Sequence, residues 1–454
     1  MQTPGASAPV HAPRSIAFYL PQFHPVPEND AWWGAGFTEW TNVVRAGPKF
    51  PGHYQPHLPA DLGFTDLRLP ETRAAQARMA RRHGIDGFCY YHYWFKGRRV
   101  LDRPFAEVLA SGSPDFPFCL CWANESWTRA WDGGTSEVLA AQDYDPGDDL
   151  DHIRWLVTAF RDRRYLTVEG RPLLLVYRPQ SLPRPLATFD AWRKVCADEG
   201  IPEPFICKFD TRDDFSDPAL VGCDAGAEFL PHGVRGSVPT ISPTGSHPGN
   251  LVFDYAEVAE TFAERESPSW RRYSCVLPGW DNSSRRPDGS SFLLHGANPA
   301  DYEAWMARTL ERSSADGRDL VFVNAWNEWA EGAHLEPDQR FGLQFLEATG
   351  RAMEASGHQL SKVPDPGADP AGYEELYLDL YERFVRLQKL QTDQDGAIRR
   401  LAGRDVDRLR AELAEARLDA DLLAGRTAQL ERALRQTRLR LRAADIPHPD
   451  PDPS

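Results

Sequence analysis

Hydrophobic residues in the first 360 positions fall into short, nearly continuous runs rather than a strictly alternating pattern. Strands buried on both faces of a parallel sheet show such runs, because neither face of the sheet meets water. The runs predict eight strands, at Ile16–Gln22, Gly87–Trp94, Phe116–Trp122, Pro172–Tyr177, Phe205–Phe209, Ala225–Leu230, Cys275–Gly279 and Leu320–Ala325.

Amphipathic stretches with helical spacing lie between these runs; in the first, Ala74, Ala77 and Ala80 share one face. The stretches predict helices at Leu69–His83, Asp149–Arg163, Phe189–Glu199, Tyr255–Arg265, Pro299–Arg312 and Arg340–Ala355. Alternating strands and helices imply right-handed crossovers and a parallel sheet. Eight such units in about 350 residues favour an α/β fold of the (β/α)8 TIM barrel class. A doubly wound open sheet is the alternative, which the lack of a Gly-rich loop after the first strand disfavours.

Two connections are unusually long, from His24 to Thr65 and from Pro231 to Asn250. In a barrel, such connections would lie at the rim formed by the carboxyl ends of the strands and would shape the site there.

The composition changes after a segment rich in Pro and Gly at residues 359–372. From Leu409 to Leu441, small and apolar residues recur with the 4-3 spacing of a coiled coil. The chain is therefore divided into a flexible N-terminus at 1–13, a barrel domain at 14–358, a linker at 359–372, a coiled-coil helix at 373–444 and a disordered tail at 445–454.

The coiled-coil helix would join chains into a homo-oligomer; a single solvated helix, or one folded back on the barrel, is the alternative. Arginines near its end suit the negative end of the helix dipole, and they could also make weak contact with an anionic membrane surface.

The net charge of −15 disfavours nucleic acid as a partner, because a phosphate backbone would be repelled. The seven cysteines show neither a disulfide framework nor a zinc-binding set. The N-terminal residues lack the basic and apolar regions of a signal peptide. We therefore expect a cytoplasmic protein that uses no metal and no cofactor.

Polar and aromatic residues gather where the predicted strands end, which is where TIM-barrel active sites lie. Aromatic rings can cover the apolar faces of sugar rings, and polar side chains can select their hydroxyl groups. Packing between barrel and helices is the alternative for each aromatic residue, and a structural role is the alternative for each histidine. The candidate substrate-binding residues are Tyr19, His24, Trp40, His57, Tyr91, His92, Trp122, Asn124, Glu125, Trp131, Asp132, Tyr177, Lys208, Asp210, Trp280, Asn324, Trp326 and Glu336.

The segment VFVNAWNEWAEGAHLEP, residues 321–337, leads from an apolar strand into Glu328, Glu331 and Glu336. Cleaving or making a glycosidic bond requires one carboxyl group that gives a proton and another that accepts one or stabilises positive charge. Two neighbouring carboxyl groups also separate their pKa values, so that one stays protonated near neutral pH. A polar surface turn after a strand is the alternative. We predict that Glu328 and Glu331 are catalytic.

Four segments together carry a family resemblance: AFYLPQFHPVPENDAWWGAGFTEWTNV, YHYWF, WANESWTRAWDG and NAWNEWAEGAHLEP. Over residues 14–352 the chain resembles the WbsX-type glycosyltransferases, which are similar to glycoside hydrolase family 99. The resemblance implies a TIM barrel that acts on α-linked, manno-configured sugars with retention, through a 1,2-anhydro sugar. Carried over by motif, Glu328 would deprotonate the sugar 2-hydroxyl, and Glu331 would protonate the leaving oxygen and then activate water.

The direction of the reaction stays open at this stage. The WbsX group is labelled as glycosyltransferases, but the chain shows no sequence signature of a nucleotide-sugar-binding fold. That absence favours a hydrolase or a transglycosidase. Its substrate would be an oligosaccharide of bacterial surface polysaccharide metabolism. The alternatives are a glycosyltransferase with a nucleotide- or lipid-linked donor, and a non-catalytic glycan-binding scaffold.

Overall fold

Eight parallel strands pair side by side and close on themselves. The computed structural model describes residues 12–128, 137–211 and 214–360. The barrel strands, β1 to β8, are Arg14–Tyr19, Gly87–Phe95, Phe118–Trp122, Arg171–Val176, Phe205–Asp210, Ala225–Glu228, Arg272–Val276 and Leu320–Val323. Strand β1 pairs with both β2 and β8. The predicted TIM barrel is confirmed, and the doubly wound alternative is wrong because an open sheet cannot pair its ends.

The described part of the chain contains α-helices α1 to α9, at Pro27–Trp33, Trp40–Arg45, Pro70–Arg82, Arg103–Ser111, Pro146–Phe160, Pro185–Asp198, Tyr255–Ala263, Pro299–Ala315 and Gln344–Ala355. All six predicted helices are confirmed, with ends shifted by a few residues. Helices α1, α2 and α4 were not predicted; they have seven, six and nine residues, too few for a helical period to emerge.

Side chains alternate between the barrel interior and the surrounding helices. In β1, Phe18 points inward, where its ring stacks on Phe322 with centroids 5.3 Å apart and meets Phe209 edge-on at 5.1 Å. The next residue, Tyr19, points outward and donates its hydroxyl to Gln76 Oε1 of α3 at 2.7 Å. This alternation decides which residues near the strand ends can reach the mouth of the barrel.

Both long connections follow the carboxyl ends of barrel strands, as predicted. The first holds α1 and α2, and Trp40 of α2 lies 5.4 Å from Trp329 of the turn after β8. The second leads into a small separate sheet. The shorter strands outside the barrel are Arg98–Val100, Trp127–Thr128, Val138–Ala140, Thr167–Val168, Thr240–Ile241, Leu251–Asp254, Phe292–His295, Asn327–Glu328 and Ala333–His334.

Several predictions lie outside the described residues: most of the N-terminus, the linker from residue 361, the coiled-coil helix, the tail, and Trp131 and Asp132. Among the residues that the structure does describe, none of the helices combines the length and the apolar character needed to cross a membrane.

Candidate active site

The turn after β8 is anchored to the end of β1. The buried amide of Asn327 accepts from the Leu20 backbone N–H at 2.7 Å and donates to the Leu20 carbonyl at 3.0 Å. Residues Asn327–Glu328 then pair with Ala333–His334 in a short hairpin, which Gly332 closes with a φ of 61°. That positive φ favours glycine. The two acids of the turn are therefore carried on a well-anchored segment at the barrel mouth.

Glu328 and Glu331 both face one buried cation, the guanidinium of Arg285. Arg285 Nη1 lies 2.9 Å from Glu331 Oε1, and Nη2 lies 3.7 Å from Glu328 Oε2. Its Nε and Nη2 also donate to Glu39 Oε2, at 3.1 and 2.9 Å. Only 4% of the Arg285 side chain is exposed, so these interactions are weakly screened. One cation thus holds three carboxyl groups together.

The environment raises the pKa of both acids of the turn. Burial, then the charge of Glu331, holds the pKa of Glu328 well above its usual range, against the opposing effect of Arg285. Burial also raises the pKa of Glu331, while Arg285 lowers it. Burial and the neighbouring carboxyl charges thus favour a proton on the pair, and the shared cation opposes them. In the free protein, the short contact to Arg285 favours ionised Glu331 and protonated Glu328.

Two tyrosines of β2 lie on the interior side close to Glu328. Burial, followed by the negative charge of Glu328, raises the pKa of Tyr91 and of Tyr93 above the usual range. Both phenols therefore keep their protons as hydrogen-bond donors. Glu328 Oε2 is buried and has no hydrogen-bond partner among the described residues. The mouth of the barrel thus brings two phenol groups close to a buried carboxyl oxygen that no protein group satisfies among the described residues.

The structure does not bring six of the candidate binding residues to this cleft. They lie in the layer between barrel and helices, because they occupy outward positions of their strands or of the turn. These residues are Tyr19, His92, Trp122, Lys208, Asp210 and Trp326.

Their contacts are with protein groups of that layer. His92 Nε2 lies 3.0 Å from His152 Nε2 of α5, and Trp122 packs edge-on against the same histidine at 4.7 Å. Lys208 Nζ donates to Asp214 Oδ1 at 2.9 Å. Asp210 Oδ2 lies 3.9 Å from Arg272. These residues support the barrel wall.

Glu336 is also occupied by protein donors. Gln76 Nε2 and Trp326 Nε1 donate to its Oε1 at 2.6 and 3.0 Å, and Trp329 Nε1 donates to its Oε2 at 2.6 Å. Burial raises its pKa to about 7. The structure therefore gives Glu336 a structural role, joining α3 to the turn, in place of the expected sugar contact.

Other candidates remain at the strand ends on the cleft side. Tyr177 packs on the interior ring of Phe229 with centroids 5.4 Å apart. Asn324 donates to the Leu230 carbonyl at 2.6 Å, and its Oδ1 is buried without a partner among the described residues. Together with Tyr91, these two residues give the mouth both aromatic and polar character.

Asn124 and Glu125 tie the end of β3 to the loop after β4. The Asn124 amide donates to the Arg178 carbonyl at 2.8 Å and accepts from the Arg178 backbone N–H at 2.7 Å. The Glu125 carboxylate pairs with the Arg178 guanidinium. Asn124 is therefore structural, whereas Glu125 keeps part of its side chain exposed at the rim.

The remaining candidates lie behind or beside the acids. Trp40 donates to the Thr65 carbonyl at 2.9 Å and supports the turn through Trp329. His24 is buried, which lowers its pKa to about 4. His57 and Trp280 line a separate cavity of about 290 Å³.

Sequence reasoning missed Arg285, Glu39 and Tyr93. Arg285 lies in a turn-rich segment, SSRRPDG, which has no hydrophobic periodicity from which a buried position could be predicted. The available signal was chemical: several buried carboxyl groups at one rim require a nearby cation.

The closed barrel and its buried acid pair define the class, a TIM-barrel protein with two neighbouring carboxyl groups at the mouth of the barrel. A family model described as Glycosyltransferase WbsX matches residues 15–349. The chain therefore belongs to the WbsX glycosyltransferase family.

Curated relatives of similar sequence are longer than this chain. One, "Uncharacterized protein WxcX" of Xanthomonas campestris pv. campestris (strain B100), is 45% identical over 381 residues, covering 82% of this chain and 54% of the relative. The chain thus spans about half the length of the curated relatives it matches.

Solved structures are similar in fold at low sequence identity. A "Glycoside hydrolase-like protein" matches with a TM-score of 0.50 and 14% identity, over 79% of this chain and 98% of the other. A GH99 endo-alpha-mannosidase from Bacteroides thetaiotaomicron matches with a TM-score of 0.48 and 14% identity, over 76% and 97%. The first of these similarities shows the shared barrel fold.

Proposed function

We propose that the chain cleaves or transfers an α-linked, manno-configured glycosyl unit with retention, through a 1,2-anhydro sugar. In this proposal Glu328 is the base and Glu331 is the acid/base. The observation that supports it most is the buried Glu328 Oε2, which accepts no hydrogen bond among the described residues and faces the same Arg285 guanidinium that contacts Glu331.

In the first step, Glu328 takes the proton of the sugar 2-hydroxyl while that oxygen forms a bond to the anomeric carbon. The bond from the anomeric carbon to the leaving oxygen breaks, and Glu331 gives its proton to that oxygen. In the second step, water or an acceptor hydroxyl attacks the anomeric carbon and gives its proton to Glu331. The bond from the 2-oxygen to the anomeric carbon breaks, and Glu328 returns the proton to the 2-oxygen.

This sequence restricts the configuration of the sugar. The 2-oxygen must approach the anomeric carbon from the face opposite to the leaving group. An axial 2-hydroxyl and an α leaving group satisfy that requirement, which is why a manno-configured donor is proposed. Two inversions at the anomeric carbon give net retention.

The reaction begins with the proton on Glu331, whereas the contacts of the free protein favour it on Glu328. A bound sugar reverses this preference. Its 2-hydroxyl donates to Glu328 Oε2 and stabilises the ionised form, while its glycosidic oxygen accepts from Glu331. Arg285 keeps the charge of the pair near one negative unit throughout.

The description of the family favours transfer of the sugar to an acceptor over hydrolysis. The second candidate function is therefore a glycosyltransferase that uses a sugar donor linked to a nucleotide or a lipid. We place the reaction in the synthesis or trimming of a surface polysaccharide precursor in a reducing compartment. Cys89 and Cys119 are neighbours across β2 and β3 and are both free thiols, which fits such a compartment.

The test is turnover of a panel of α-linked aryl glycosides, with and without oligosaccharide acceptors, by wild type, Glu328→Gln and Glu331→Gln. We expect activity on α-mannosides and losses of about 10²- to 10⁴-fold in each variant. Glu354→Gln, a change at an exposed position of α9, is the control and should retain activity.

Equal activity of Glu331→Gln and wild type would contradict the assigned roles. Calorimetric titration with nucleotide sugars tests the activated-donor alternative. Saturable binding of a nucleotide sugar, with no turnover of any α-glycoside, would replace the proposal by that alternative.

A further inference from the structure

A second cluster of ionisable side chains lies beside the acid turn, in the wall of the 290 Å³ cavity. One donor atom each of His57, His334 and Asp338 lies within 4.8 Å of the other two. His57 Nδ1 and His334 Nε2 are 2.9 Å apart. Two imidazole nitrogens and a carboxylate oxygen therefore converge on one point of the cavity.

The environment of His334 fixes its orientation and its tautomer. Its Nδ1 lies 2.9 Å from the carbonyl oxygen of Glu336, so Nδ1 carries the hydrogen and donates it. Its ring stacks on Trp329 with centroids 3.8 Å apart. The Nε2 lone pair is thereby aimed at the cluster, an arrangement typical of metal-binding histidines.

Asp338 and His57 are held in a similar way. Asp338 Oδ1 accepts from the backbone N–H groups of Arg340 and Phe341 at 3.0 and 2.6 Å, and Oδ2 accepts from the Tyr54 hydroxyl at 3.1 Å. The His57 ring stacks on Tyr54 at 4.3 Å. These contacts preorganise the donor groups. Because His334 Nε2 carries no hydrogen, His57 Nδ1 donates its hydrogen to that nitrogen at 2.9 Å in the free protein. A bound ion would take the place of this hydrogen, and His57 would then carry its proton on Nε2.

We propose that His57, His334 and Asp338 bind a divalent transition-metal ion of the Zn²⁺ type. Two imidazoles and one carboxylate suit Zn²⁺ and its first-row neighbours rather than Ca²⁺ or Mg²⁺. Tetrahedral Zn²⁺ with bonds of about 2.1 Å sets its nitrogen ligands about 3.4 Å apart, so the two rings separate by about 0.5 Å on binding. Water from the cavity completes the coordination.

The site would clamp the first long connection to the catalytic turn. His334 pairs with Asn327 in the hairpin that also carries Glu328, whereas His57 comes from the connection after β1. The ion would act structurally, since no donor of the cluster contacts the acids themselves. The sequence predicted no metal, because His57 and His334 are 277 positions apart and show no ligand spacing.

The test is metal binding by the full-length protein after chelator treatment and desalting. Titration with Zn²⁺ in a calorimeter should give one strong site per chain, and Co²⁺ should give the visible absorption of four-coordinate cobalt. His57→Ala and Asp338→Asn should weaken Zn²⁺ binding by about 100-fold or more, since each removes a ligand. His295→Ala changes another histidine of the same cavity wall and is the matched control, which should keep the site.

Melting temperatures give a second readout that does not depend on activity. Zn²⁺ should raise the melting temperature of wild type and of His295→Ala, but not that of His57→Ala. Circular dichroism of His57→Ala shows whether this variant is folded. Absence of Zn²⁺ binding, or equal binding by wild type, His57→Ala and Asp338→Asn, would overturn the proposal. Neither result bears on the roles of Glu328 and Glu331.

Discussion

Arg285 sets the charge of the acid pair. It contacts Glu39, Glu328 and Glu331 from a buried position, so a single positive charge opposes up to three negative ones. Without it, burial and mutual repulsion would keep the carboxyl groups protonated over much of the neutral pH range. The arginine therefore allows one acid to ionise while the other keeps its proton.

Replacing Arg285 by Gln should move the pH–activity profile to higher pH. Arg285 lowers the pKa of Glu328 and of Glu331, so its loss raises both values. The singly protonated pair then exists at higher pH, and we expect a shift of about one pH unit in the profile of kcat/KM. Arg351→Gln, at an exposed ion pair on α9, is the control. An unchanged profile, or one shifted to lower pH, would contradict this role.

Glu336→Gln should lower the free energy of unfolding by about 1–3 kcal/mol. N–H groups donate to both carboxyl oxygens of Glu336, so the NH2 group of a glutamine would face an N–H donor whichever way its amide is turned. The pKa of about 7 in the folded state lies above the ordinary 4.5, so the folded state holds a proton that the unfolded chain releases. That contribution to stability is present at low pH and is lost as the pH rises through 7. The cost of the substitution should therefore be larger at pH 5 than at pH 8.

Urea denaturation at the two pH values measures this effect, with Glu347→Gln on the exposed face of α9 as the control. Unchanged stability combined with weaker sugar binding would return Glu336 to the substrate site.

Residue types near the strand ends predicted where two carboxyl groups meet, but not which of the neighbouring side chains face the cleft. The acid pair followed from Glu328 and Glu331 at the end of an apolar run. Tyr19, His92 and Trp122 were misplaced because a strand sends neighbouring side chains to opposite faces, and nearly continuous apolar runs do not show which face is inside. The neighbours Tyr93 and Phe18 point inward instead.

At the scale of elements, the hairpin that carries the acids depends on close packing at Gly332. A Cβ atom there would lie 2.9 Å from Asp281 Cβ and 3.0 Å from the Asp281 backbone nitrogen. That nitrogen also donates to the Glu331 carbonyl at 2.5 Å. Crowding at this point would displace the backbone that holds Glu331.

Gly332→Ala should therefore reduce both stability and activity, whereas Gly342→Ala should reduce stability alone. Both glycines have positive φ, 61° and 54°, which costs alanine about 1–2 kcal/mol. Only Gly332 meets neighbouring atoms, since a Cβ at Gly342 would have nothing within 4 Å. Thermal melts and turnover of the same substrate compare the two variants. Equal activities would show that the turn tolerates displacement.

At the scale of the whole molecule, the barrel was predictable because its strands are buried on both faces. The continuous apolar runs marked all eight strands, and strand–helix alternation gave the parallel sheet. The residues at the rim were less predictable, since Glu39 and Arg285 come from connections whose sequences show no hydrophobic periodicity. Their meeting depends on the closed barrel, which brings positions 39 and 285 to one side.

The 4-3 spacing from Leu409 to Leu441, within the predicted coiled-coil helix at 373–444, predicts that the full chain self-associates. Light scattering should give a multiple of the 51.1 kDa chain mass for the full protein and a single-chain mass for residues 1–360. Turnover by the shortened chain should be unchanged, because the described acid site lies within residues 12–360. A single-chain mass for the full protein would favour the solvated-helix alternative.

The proposed reaction depends on the sugar 2-hydroxyl, and a 2-deoxy substrate removes that group alone. An α-mannoside and its 2-deoxy analogue should be compared with wild type and Glu328→Gln, with the product configuration read by NMR. We expect α-configured product from the α-mannoside and no turnover of the 2-deoxy analogue. Comparable turnover of both substrates by wild type, lost for both in Glu328→Gln, would contradict it and make Glu328 a direct carboxylate nucleophile.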